Sequence, residues 1–144
     1  MSKSMILFVA AMALALGGLA MVKSTATAAE EKGKERVFEL RTYTAPEGKL
    51  DALNARFRDH TNKLFVKHGM ELVGYWTPTD GEQSKNTLIY ILAHASREAA
   101  AKSWKDFRAD PEWQAALKES EKDAKLTTKV ESVFMRPTDY SPMK

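Results

Sequence analysis

Residues 87–93 read TLIYILA, and this short run decides the fold. Leu88, Tyr90 and Leu92 share one side of an extended chain; Ile89, Ile91 and Ala93 share the other. A strand that is apolar on both faces, and too short and β-branched for a helix, belongs in the middle of a sheet with something packed on each side. The flanking sequence supplies the neighbours. Residues 77–86 form a polar connection built on Pro78 and Asp80-Gly81, the composition of a hairpin loop, and Glu71–Trp76 (ELVGYW) before it reads as the strand that pairs with 87–93.

Further out, residues 49–67 carry Leu50, Leu53, Phe57, Leu64 and Phe65 at helical spacing. Pro46 and Gly48 open that helix, and His68-Gly69 closes it with a glycine suited to a left-handed cap. Val37–Tyr43 (VFELRTY) alternates as a first strand, with Phe38 and Leu40 on one face and Val37, Glu39, Arg41 and Tyr43 on the other. After 93, Ser96 is an N-cap for a helix carrying Ala100, Trp104 and Phe107 on one side. Asp110-Pro111 restarts the chain as a further helix that groups Trp113, Ala116 and Leu117. Lys129–Arg136 (KVESVFMR) is a last strand, stopped by Pro137. The order β-α-β-β-α-α-β predicts an α+β fold, a ferredoxin-like split βαβ with its second crossover broken in two.

The 144 residues suffice for one domain and a short extension, with 44 % apolar and 28 % charged residues in an ordinary globular mixture. Residues 5–22 are an 18-residue apolar run, followed by Ala26-Thr27-Ala28, a small-x-small pattern. This predicts a signal peptide over 1–28 and a periplasmic or secreted protein; an uncleaved segment would instead be a membrane anchor. Residues 29–36 then form a charged lead-in to a domain over 37–142. The formal charge of +3 includes Lys3 and Lys23; without these two it is +1, which makes no electrostatic case for nucleic acid or anionic lipid. The absence of cysteine removes disulfides, thiolate nucleophiles, Cys-held zinc and lipoprotein attachment. No GxSxG, no Gly-rich phosphate loop and no HExxH is present, and no motif implies a cofactor or a metal.

Helices can cover only one face of a four-stranded sheet, so the doubly apolar third and fourth strands predict a partner for the other face. A second copy is the economical one. The blocks VFELRTY at 37–43, RFRDHT at 56–61, HGMELVGYWTP at 68–78, SWKDFRADPEWQ at 103–114 and KVESVFMRPTDYSP at 129–142 resemble the NIPSNAP family. That resemblance implies a dimeric α+β barrel in which two ferredoxin-like sheets pack face to face. It implies no agreed enzymatic activity. The wider fold group includes cofactor-independent monooxygenases and haem-handling enzymes, a likeness of fold alone.

Three sets of residues could carry function. His60, at regular helical spacing beside Leu53, Phe57 and Leu64, is predicted on the buried stripe, with His68 two turns on. The pair serves either a pocket or plain packing, and about 12 Å of helix rise argues against a shared metal. Glu39, Arg41 and Tyr43, with Glu131 on the last strand, are expected on the face that meets the partner, as a register-fixing ion pair or as the polar floor of an internal cavity. Tyr75, Trp76, Tyr90 and Trp104 are candidates to line a cleft with His60 and His68, against the alternative that they are core. The expected function is binding of a small apolar or aromatic molecule by an exported homodimer. The alternative is a cofactor-independent oxidoreductase, with His60, Tyr75 or Tyr90 handling protons.

Overall fold

The computed structural model describes residues 36–144; the predicted signal peptide and most of the lead-in lie outside them. Four strands form one antiparallel sheet: β1 (Val37–Thr44), β2 (Glu71–Trp76), β3 (Thr87–His94) and β4 (Lys129–Met135), in the order β2-β3-β1-β4. The doubly apolar strand is central, as its pattern requires, and the order is that of a ferredoxin-like split βαβ. The connection expected as a plain polar loop contains a short helix, α2 (Gln83–Asn86). Helices α3 (Arg97–Ala109) and α4 (Pro111–Ser120) are capped as their sequences require. Ser96 Oγ accepts from the Ala99 N–H, and Asp110 accepts from the Glu112 N–H with Pro111 in the first turn.

Helix α1 spans residues 50–67 and is irregular in its middle. Leu50–Arg56 and Asn62–Lys67 are α-helical, but Phe57–Thr61 is a π-turn. A π-turn closes i→i+5 bonds and carries more residues per turn, so the apolar stripe slips in phase. Thr61 is buried where a regular helix would place His60, and His60 is exposed. The helix ends in a Schellman motif: the Gly69 N–H bonds Val66 O at 3.0 Å, the Met70 N–H bonds Phe65 O at 2.9 Å, and Gly69 has φ 78°.

The helices cover the face that carries Leu88, Tyr90 and Leu92, and the core joins these to Leu53, Phe57, Phe65, Trp104 and Phe107. Strand register places Glu39, Arg41 and Tyr43 on this same face, since Glu39 pairs with Leu92, Arg41 with Tyr90 and Tyr43 with Leu88. These three residues therefore lie beneath the helices, not on the face open to a partner. Alternation says which residues share a face but not which face the helices take, and here a buried polar cluster outweighs the more apolar Phe38 and Leu40.

The open face carries Phe38, Leu40, Ile89, Ile91, Val133 and Met135, with Trp76 at its β2 edge. Trp76 lies over Gly74, where a Cβ would sit 2.5 Å from its ring. Part of the face is crossed by the chain after β4. Pro137, Ser141 and Met143 come over Phe38 and Ile91, and Arg36 Nη1 donates to the Lys144 carbonyl at 2.8 Å. Among the described residues, no helix is long and apolar enough to cross a membrane.

Candidate functional site

A polar row runs across the whole sheet on its helix-covered face: Ser132 on β4, Arg41 on β1, Tyr90 on β3 and Tyr75 on β2, each register partner of the next. One pair further along β1 stands Glu39, 1 % exposed. Its carboxylate is saturated. Oε1 accepts from Arg41 Nη1 and Ser132 Oγ, both at 2.7 Å; Oε2 accepts from Trp104 Nε1 at 2.7 Å and from His94 Nε2 at 3.0 Å. Burial by itself would raise this carboxyl; the donors His94, Ser132, Trp104 and Arg41 overcome it and hold the pKa at about 2. Glu39 thus ties strands β1, β3 and β4 to helix α3 and fixes the Arg41 guanidinium, which lies 4.2 Å from the Trp104 ring centroid and donates from Nη2 to the Tyr43 hydroxyl at 3.3 Å.

Several polar atoms in this layer are buried and unpaired. Arg41 Nε, the Tyr75 hydroxyl and His94 Nδ1 have no hydrogen-bond partner among the described residues, and the Tyr90 hydroxyl has Tyr43 as its polar neighbour. Tyr75 and Tyr90 stack at 5.3 Å, and Tyr43 meets Tyr90 edge-on at 5.4 Å. Burial first, and Tyr43 second, push both Tyr75 and Tyr90 above the usual phenol range.

Beside the row a cleft of about 300 Å³ opens between α1, α4 and the edge strand β4. Tyr43, Phe57, Phe65, Phe107 and Trp113 give it an aromatic wall, and Val130 stands on β4, half-exposed at 44 %. Arg56 supplies charge. Its Nη1 donates to Glu121 Oε1 at 2.8 Å, and its guanidinium lies 5.4 Å from the Trp113 ring centroid. The cleft exists because β4 is an edge strand that the helices do not reach across. Thr61, Glu121, Lys125 and Thr127 complete the lining, so aromatic walls are joined by a set of polar groups, a combination that suits a small planar molecule with a polar substituent.

The family model for NIPSNAP matches residues 38–142. The chain belongs to the NIPSNAP family. A NIPSNAP family protein of unknown function from Agrobacterium tumefaciens is 28 % identical, with a TM-score of 0.67 over 77 % of this chain and 96 % of that one. An uncharacterised NIPSNAP domain protein from Burkholderia xenovorans is 25 % identical, with a TM-score of 0.63 over 74 % and 98 %. No curated protein matches the chain in sequence.

Within this NIPSNAP domain the expected site residues separate. Tyr75 and Tyr90 are together on the helix-covered face, and Trp104 joins them through Phe65 on the apolar side and through Arg41 and Glu39 on the polar side. Tyr43, expected toward a partner, lines the cleft instead. His60 faces away, into a shallow groove with Ala116 and Glu119, because the π-turn rotates it off the stripe. His68 sits outside the cleft, its Nε2 2.7 Å from Asp110 Oδ2 at the start of α4. Trp76 is on the open face, 51 % exposed. Glu131 is also on the open face and pairs with Lys129 Nζ at 2.9 Å. His94, Ser132 and Arg56 escaped the sequence reading. His94 was within reach of it, since the alternation Leu88, Tyr90, Leu92 continues to position 94 on the same face.

Proposed function

We propose that this NIPSNAP domain binds a small aromatic or apolar molecule in the cleft between its helices and its sheet. The observation that carries the reading is the aromatic wall of Tyr43, Phe57, Phe107 and Trp113 around a cavity of about 300 Å³, left open along an edge strand. Naphthalene, followed by its own fluorescence, is a suitable probe. Val130→Trp would fill the mouth from an exposed strand position, so the fold is expected to persist and binding to be lost. Binding unchanged by that substitution would overturn the assignment.

The oxidoreductase reading is the weaker one. His60 does not reach the cleft, and Tyr75 and Tyr90, raised by burial, keep their protons and make poor bases. Two further parts of the reading concern assembly and address. The apolar open face supports a homodimer through Leu40, Ile89, Ile91 and Val133. The apolar run and Ala26-Thr27-Ala28 support export with cleavage after Ala28, and an intact mass retaining residues 1–28 in protein from the native host would refute it.

A further inference from the structure

We propose that the cleft takes an aromatic monocarboxylate, with its ring against the aromatic wall and its carboxylate held at the rim by the ammonium of Lys125. This names a ligand class for the binding reading and rests on it. Three charged side chains line the cleft: Arg56, Glu121 and Lys125. The first two are committed to each other. Arg56 Nη1 meets Glu121 Oε1 at 2.8 Å, with the side chains 3 % and 20 % exposed. The same Oε1 also accepts from the Leu126 N–H at 3.3 Å. Among the neutral polar groups of the lining, Thr61 is spent, its Oγ1 donating to the Arg56 carbonyl at 3.2 Å. Lys125 is left. It has no ion pair or hydrogen bond among the described residues, so the cleft carries one unmatched positive charge.

The chain holds that charge in place. Lys125 stands in the connection from α4 to β4, directly before Leu126, which is 3 % exposed and part of the core. A little further on, the Thr128 N–H bonds the Thr44 carbonyl at 2.8 Å. The backbone is thus pinned beside Lys125, while the Lys125 side chain is exposed and keeps its charge solvated until a ligand arrives. A compact ammonium of this kind suits a single carboxylate, which retains part of its hydration at the rim and escapes the penalty of full burial. A dianion would also face Glu121. A cationic ligand finds the cleft's one carboxylate already taken by Arg56 and meets Lys125 as a like charge.

The full chain is titrated with 2-naphthoate, 2-ethylnaphthalene and 2-(aminomethyl)naphthalene, together with the Lys125→Gln and Lys125→Arg variants. Lys125 is exposed, so both variants are expected to fold, and a retained thermal transition checks this. The naphthoate is expected to bind more tightly than the hydrocarbon, and the ammonium more weakly than either. Lys125→Gln should weaken the naphthoate about three- to tenfold, the scale of one charge-assisted contact at an exposed site, and leave the hydrocarbon unchanged. Lys125→Arg should keep the preference for the naphthoate, and added salt should reduce it in the parent. Equal binding of naphthoate and hydrocarbon, or a naphthoate preference that survives Lys125→Gln, would overturn the anchor while the cleft reading stands. Tightest binding of the ammonium would overturn it in favour of Glu121. If no probe binds, the cleft reading fails and the anchor with it.

Discussion

Glu39 shows how a single side chain can be readable in sequence and misplaced at once. Its charge in an otherwise β-prone strand marks it as special, but the ion pair expected across the sheet or dimer is formed with Arg41 two positions along β1, so this pair does not fix register. The partners that make burial tolerable come from sequence distances no local pattern reveals: His94, Trp104 and Ser132. A carboxyl that drops from its ordinary value of 4.5 to about 2 on folding contributes about 3 kcal/mol at neutral pH. The sign follows from the lowered pKa. The contribution is fully present above pH 4.5 and is lost as pH falls toward 2. Glu39→Gln should therefore destabilise the domain by about 3 kcal/mol at pH 7, since Arg41 is left unpaired. The gap between variant and parent should close as urea unfolding curves are taken from pH 5 down to pH 2. A gap constant over that range would mean that Glu39 is not ionised in the folded protein.

The helices were largely legible because their signals are local. Ser96, Asp110-Pro111 and Gly69 each cap where their chemistry predicts, through hydrogen bonds seen at 3.1, 2.8 and 3.0 Å. The middle of α1 was not legible, because the spacing of Leu53, Phe57 and Leu64 fits an unbroken helix and nothing in residues 57–61 announces an i→i+5 turn. The consequence is a testable exchange of roles between neighbours. His60→Ala should change stability by less than about 0.5 kcal/mol, as at other exposed positions. Thr61→Leu should cost about 1–3 kcal/mol by overfilling a site that is 1 % exposed. Thermal melts of the two variants decide the register: a costly His60→Ala with a neutral Thr61→Leu would restore the regular helix.

At the scale of the whole molecule the sheet has two unlike faces. One is covered by helices and holds the polar row and the cleft. The other is apolar and only partly crossed by residues 137–144, and it is the face proposed to meet a second copy. Alternation in β3 and β4 made the existence of two apolar faces plain, yet it could not say which one the helices would take; that depended on long-range pairing around Glu39. Ile91 lies on the open face with Phe38 and Met135. Ile91→Asp should therefore shift the light-scattering mass at micromolar concentration from dimer to monomer while leaving naphthalene binding in place. A parent protein that is monomeric under these conditions would remove the dimer from the account. The central claim, that ligand enters on the helix side, is tested most directly by the indole N–H resonances of the three tryptophans during titration with naphthalene. Trp113 lines the cleft, Trp104 donates to Glu39, and Trp76 lies on the open face. The account predicts a saturable shift of Trp113 with Trp76 unmoved; a shift of Trp76 with Trp113 silent would contradict it.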